Sequence, residues 1–248
     1  QIRVTDFDTV SALGGAVDVD PAGGFRYQPP PGVTGLDMFR YEITGLSEAT
    51  DRATVFITLS NLIWFVDNAA PPGGDGSMVA PFQTLEPVQG PGGAGDVDEA
   101  GNIIFLFQGT EPYDGGLELE EDQQLIGQGV DLEVDDIVLV RGDPTLSPVL
   151  ANKEGPGIEL AANNTVAGLH LGPIGGTALA GAGFGMVQIS NVMIQAASRA
   201  LDLSQGVVQV QLDALACSGS GPGVLLESLA GRLSVSGLAS VTNQGGLL

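Results

Sequence analysis

The chain has 248 residues, 43% of them hydrophobic and only 5% aromatic, and 30 acidic side chains against 8 basic ones give a net charge of −22. That hydrophobic share excludes a disordered chain, and the single cysteine, Cys217, excludes an internal disulfide framework. The basic footprint that nucleic acid requires is missing, anionic lipid is disfavoured, and no run of 18 apolar residues suggests a membrane-spanning helix.

Residues 1–59 read as short antiparallel strands. Val17/Val19, Phe25/Tyr27, Phe39/Tyr41/Ile43 and Val55/Ile57/Leu59 alternate, and Gly14-Gly15, Gly23-Gly24 and the 29–35 stretch supply turns. The wording of 14–44, with Phe25-x-Tyr27-x-Pro29 and Gly35-x-Asp37-x-Phe39-x-Tyr41, resembles the bacterial tandem Ig-like, cadherin-like modules of giant surface proteins. A complete sandwich of that kind needs about 100 residues and seven strands. About five are legible here, so the module over 1–60 reads as incomplete at its N-terminus. The expectation is that Val17, Phe25, Tyr27, Phe39, Tyr41 and Ile57 are covered by strands from outside this stretch or by a neighbouring subunit.

The segment 63–85, with Val66-Asp67, Gly73-Gly74-Asp75-Gly76-Ser77 and Pro81-Phe82-x-Thr84-Leu85, resembles the entry of bacterial right-handed β-helix proteins of the pectate-lyase-like fold. Ile103–Phe107, Leu117-x-Leu119 and Gln124-Leu125-Ile126-Gly127-x-Gly129 resemble the first rungs of the same proteins. Residues 131–156 fit less well and are expected to hold a loop excursion around Arg141–Pro148.

From 157 onward a period of 23 takes over. Val166, Ile189, Leu212 and Val235 share that step, as do Leu169, Val192, Leu215 and Leu238, then Leu171, Ile194, Cys217 and Ser240, and Ala178, Leu201, Val224 and Leu247. Apolar residues alternate within each repeat, which is strand periodicity. One coil per repeat, each burying its face only on its neighbours, describes a solenoid. The fold class expected is therefore all-β: a partial Ig-like sandwich, then a right-handed parallel β-helix of about 23 residues per coil over 61–248, continuing beyond Leu248. Leu169, Val192, Leu215 and Leu238 should form one interior ladder.

This register allows a search for convergent chemistry. With a constant step, Arg232 stacks over Gln209, Met186 and Asn163; Asp213 over Ser190 and Ala167; Glu227 over Ser204 and Gly181; Asp202 over Leu179. No column carries two like functional groups, and none sets a carboxylate beside a base. No catalytic residue is assigned. His170, the only histidine, reads as an outward surface residue, and Cys217 as a small core residue. Arg141-Gly142-Asp143 spells an integrin-recognition tripeptide and Asn163-Asn164-Thr165 a glycosylation acceptor, both too short to carry weight alone.

The acid clusters weigh more. Between Ala53 and Val140 there are sixteen carboxylates and no Lys, Arg or His. Asp96, Asp98 and Glu99 place oxygen donors around a turn and are the Ca²⁺ candidates, although Ala100 and Phe107 stand where an EF-hand-like loop needs a donor and its bidentate acid. Ca²⁺ is the only cofactor suggested. Alternation otherwise puts Glu118/Glu120 and Asp131/Glu133/Asp135 on an exposed outer face, and the acidic belt over 96–136 should stay in water.

The expected function is a structural or adhesive segment of an extracellular, cell-surface or matrix protein of bacteria, without catalysis. Its partners would be further copies of itself or neighbouring surface-protein domains, with glycans as a further partner class. One rival is a filament subunit completed by strand donation or end-to-end stacking. Another is a glycan-binding or polysaccharide-degrading β-helix whose site lies elsewhere.

Overall fold

The computed structural model describes residues 2–60, 62–90, 96–219 and 221–242, and separates into two compact units at Leu62/Ile63. Leu247, the last member of the column expected from Ala178, lies outside the described residues.

In the first unit, β1 (Arg3–Phe7), β4 (Gly35–Thr44) and β5 (Thr50–Leu59) form an antiparallel sheet in the order β1-β4-β5. The hairpin of β2 (Ala16–Val19) and β3 (Phe25–Gln28) forms a second, two-stranded sheet. The predicted strands are present. Of the six apolar residues expected to need outside cover, Val17 and Phe39 are already buried within the unit, at 6% and 1% exposure. Phe25 stays 49% exposed, edge-on to Phe39, while Tyr27, Tyr41 and Ile57 are half-buried.

Asp37 ties this small unit together. Its fully buried carboxylate accepts from Ser11 Oγ (2.5 Å), Tyr27 OH (2.6 Å) and the backbone N–H groups of Leu13 (2.9 Å) and Met38 (2.7 Å). Burial alone pushes this carboxyl up; the four donors outweigh it and hold the group down at about 2.

The second unit is a parallel β-solenoid of about six turns of about 23 residues. Its first face is built from β6 (Ile63–Val66), β7 (Ile103–Leu106), β10 (Gln124–Gly127), the start of β15 (Thr165–Ile174), the middle parts of β16 (Thr177–Ala196) and β17 (Arg199–Cys217), and the end of β18 (Val224–Val235). A second face joins β8 (Tyr113–Asp114), β13 (Val149–Asn152) and β19 (Ala239–Val241) to the later parts of β15–β17. A third joins β9 (Leu117–Glu118) and β14 (Ile158–Leu160) to the early parts of β16–β18.

Each face carries one interior ladder: Trp64–Ile104–Leu125–Val166–Ile189–Val210–Leu233, Tyr113–Leu150–Leu171–Ile194–Leu215–Ala239, and Leu117–Ile158–Leu179–Leu201–Val224. From Ile104 to Val210 no member of the first ladder exceeds 2% exposure. A fully buried Leu or Ile is worth about 1.5–3 kcal/mol against leaving it in water, so coil-on-coil burial dominates this unit.

The uniform 23-residue register is corrected. Ile189 pairs with Val210, not Leu212, and Ile194 with Leu215, because bulges in β16 and β17 shorten that coil. Leu169 and Val192 therefore continue into Leu212 and Val235. Leu215 opposes Ala239, and Leu238 stands 75% exposed outside any ladder. The excursion at 131–156 is also more ordered than expected. Strands β11 (Leu132–Val134) and β12 (Ile137–Val140) form a hairpin, and β13 is already a coil strand.

That hairpin has a definite job. The outward column of the first face runs Phe65, Phe105, Ile126, Ala167, Ser190, Gln211, Ser234. Leu132, Val134 and Val140 pack on its apolar part, beside Phe107. The column turns polar at Ser190, past the residues the hairpin clusters with.

A left-handed residue recurs at the corner preceding the first face, at Gly101, Asp122, Asn163, Gly185, Gln205 and Ser228. In three turns it is followed by a buried amide: Asn102, Gln123 and Asn164. Asn102 Oδ1 accepts from Trp64 Nε1 at 2.9 Å. Asn164 Nδ2 donates to the Glu120 and Gln123 carbonyls at 2.6 and 3.2 Å, and its Oδ1 accepts from Ala161 N–H at 2.7 Å. These amides satisfy backbone groups that the corner removes from the sheets.

Candidate functional site

Three surface regions collect polar chemistry. The first is an acidic cleft of about 450 Å³, whose lining includes Glu86, Gln89, Asp96, Glu118, Asn152 and Glu159. Glu118 of β9 lies directly beside Glu159 of β14 in parallel register. Two like charges in that relation repel, and a 23-residue step hides the pair because the hairpin excursion separates them by 41 positions. The expectation that no column carries two like groups is thus corrected.

The second is a groove of about 610 Å³ on the first face, around Gln188, Ser190, Gln209, Gln211, Arg232 and Ser234. Arg232 does stack on Gln209, as expected, but Gln209 sits on Gln188 and Gln188 on Thr165, not on Met186 and Asn163. No carboxylate lines this groove, which makes it an amide-bearing strip with one cation, Arg232, on a chain of net charge −22.

The third is the loop that carries the calcium candidates, and its geometry departs from the exposed belt expected for 96–136. Asp98 is only 5% exposed. Its Oδ2 accepts from Gln123 Nε2 at 2.6 Å, and its Oδ1 is buried without a hydrogen-bond donor among the described residues. Burial first, and then the hydrogen-bonded neighbour Asp96, push the Asp98 carboxyl up to about 7. Glu99 keeps its side chain in water, and only its backbone carbonyl joins the arrangement, accepting from Gln123 Nε2 at 3.1 Å. Among the described residues no group of three or more His, Cys, Asp or Glu side chains is gathered to hold a metal ion. Asp96 and Asp98 meet each other; Glu99 does not complete a shell with them.

The remaining singled-out residues have local roles. Asp143 caps a short 3₁₀ turn, accepting from Thr145 N–H and Oγ1 at 2.8 and 2.7 Å, which holds its carboxyl below the usual range. Arg141 pairs with Asp131 at 3.2 Å, and Gly142 N–H donates to the same carboxylate at 2.7 Å. The tripeptide is thus built into the base of the hairpin. Asn163 donates to Asp122 at 3.0 Å at its corner. His170 is half-buried between Val149 and Met193, and burial holds its pKa down despite the nearby Asp213. Cys217 is buried, and burial pushes its thiol up.

No family model, no curated protein and no solved structure matches this chain.

Proposed function

We propose that the chain is a structural and adhesive segment of an extracellular bacterial surface or matrix protein, a β-solenoid that displays a contact face and performs no chemistry of its own. The observation that carries this reading is the carboxylate-free, amide-bearing groove at Gln188, Gln209, Gln211 and Arg232. It stands on a closely packed stack, within a chain of net charge −22. Amides repeating at one strand spacing, about 4.8 Å, offer alternating donors and acceptors suited to a neutral, hydroxyl-rich polymer such as a glycan. Net acidity suits a saline exterior and resists non-specific association. The Ig-like wording of 14–44 and the β-helix wording of 63–130 add the bacterial surface setting.

The test is retention on immobilised neutral and acidic polysaccharides, with product release followed in the same samples. Retention by a neutral polymer, weakened by Gln209→Ala and Arg232→Ala, supports the reading. Sustained release of new chain ends by this segment, abolished by one Asp or His substitution, sinks it.

A further inference from the structure

The two edges of the three-stranded sheet in the first unit are built differently. The β1 edge is short, is bulged between Val4 and Asp6, and carries Arg3 and Asp6, all of which blunt an edge against further pairing. The β5 edge lacks these devices over 53–59. Its pairing with β4 runs without a bulge from Thr50 to Leu59, and 53–59 holds no charge and no proline.

The backbone of this edge is open. The Arg40 and Met38 carbonyls accept from the Asp8 and Ala12 N–H groups, both at 2.9 Å, on the side of β4 away from β5. The residues opposite them, Thr54 and Phe56, therefore turn their N–H and C=O groups away from β4, and Thr58 follows by alternation. No described strand pairs with that edge. Burial is unfinished there too. Phe39 on central β4 is 1% exposed, whereas Val55, Ile57 and Leu59, on the same side of the sheet, are only half-buried. On the opposite side Phe56 stands 63% exposed beside Met38.

An occupant of this edge has to be extended, uncharged and apolar at alternate positions, and β5 meets that description itself. Charge agrees. Residues 1–62 hold eight acidic and four basic side chains, a net of −4 on a chain of −22, so repulsion between two copies is weakest here.

We propose that the chain pairs with a second copy of itself along β5, antiparallel, about a two-fold axis at Phe56. Side chains directly opposite must share a face, so odd positions pair with odd and even with even. Axes at Thr54 or Val55 would set Asp51 against the apolar Ile57 or Leu59 of the second copy. The axis at Phe56 gives the longest pairing that leaves Asp51 and Arg52 outside. Phe56 then faces Phe56, Thr54 faces Thr58, Val55 faces Ile57 and Ala53 faces Leu59, and the open backbone groups of Thr54, Phe56 and Thr58 satisfy one another. The same edge serves both copies, so the contact closes at a dimer whose two three-stranded sheets become one of six strands.

Sedimentation equilibrium of the whole chain at about 0.15 M salt reads the association, and a monomer–dimer equilibrium is expected. Phe56→Lys removes the aromatic pair and sets like charges across the axis, and should weaken the dimer by at least about tenfold. Phe56 is exposed, so the variant keeps its fold, which circular dichroism verifies. Leu46→Lys makes the same charge change in a turn residue 89% exposed and should leave the dimer unaltered. In a Cys217→Ala background, Phe56→Cys should oxidise to a covalent dimer, because Cα atoms paired at the axis lie about 5.5 Å apart, and Arg52→Cys should not. A monomer at every concentration, an open-ended series of species, or a dimer that Phe56→Lys leaves intact overturns the proposal.

Discussion

Asn164→Ala tests the corner amides most sharply. The wild-type side chain has no exposure, and its three hydrogen bonds all go to backbone groups. Alanine preserves the backbone but leaves Ala161 N–H without its partner in an enclosed corner. The Gln123 carbonyl keeps Thr165 N–H at 3.2 Å, and the Glu120 carbonyl keeps Gln123 N–H at 3.3 Å. One orphaned group gives an expected loss of about 1–3 kcal/mol. The neighbour provides the control. Asn163 is left-handed, with φ of 59°, and its side-chain bond to Asp122 is exposed. Asn163→Gly keeps that backbone conformation open and should cost less than about 1 kcal/mol. Urea unfolding followed by circular dichroism reads both, and with a slope of about 2 kcal/mol per molar the Asn164→Ala midpoint should fall by about 0.5–1.5 M. If it moves no further than that of Asn163→Gly, the amides are not what closes the corners.

Three further outcomes are expected. Leu215→Asp should unfold or strongly destabilise the solenoid, whereas Leu238→Asp should shift the thermal midpoint by no more than a few degrees, because Leu215 is 3% and Leu238 75% exposed; equal effects would restore the uniform register. In the first unit, the Asp37 contribution is present above the ordinary carboxylate range and lost as pH falls towards 2; Asp37→Asn should lower the unit's thermal midpoint at pH 7 and remove that acid step, as followed by Tyr27 and Tyr41 resonances. Gly76 has φ of +80°, and a Cβ there would lie 2.4 Å from Phe82 Cε2 and 2.6 Å from Trp64 Cε3; Gly76→Ala should break the Trp64–Phe82 stack and red-shift the emission of the only tryptophan.

Much of the architecture is legible in the residues. Alternation within 1–59 marks the strands of the first unit, and the Val166/Ile189 and Leu171/Ile194 steps identify a parallel solenoid because interior side chains must stack turn on turn. The exact register past β16 is not legible, since a bulge adds a residue without altering composition. Leu215 and Leu238 keep their spacing while Leu238 leaves the core. The Glu118–Glu159 pair and the Gln188–Gln209 stack are hidden for a related reason: their separations, 41 and 21, depend on an inserted hairpin and a shortened coil. Leu132, Val134 and Val140 announce an apolar face, but only the fold shows that it covers the outside of the solenoid at Phe65 and Phe105. Asp98 reads as one more acid of a solvated belt. Its burial follows from the corner amide at Gln123, whose partner lies 25 residues away.

The contact face and the columns that build it both depend on coil register, and a cysteine pair measures register directly. Ser190 and Gln211 are in-register neighbours on the outward side of adjacent coils, within disulfide reach of about 4.4–6.8 Å between Cα atoms. In a Cys217→Ala background, Ser190→Cys with Gln211→Cys should oxidise rapidly to an intramolecular crosslink, while Ser190→Cys with Asp213→Cys should not. Preferential crosslinking of the 190/213 pair would mean that the coils keep a strict 23-residue step, and the amide-bearing groove as described would not exist.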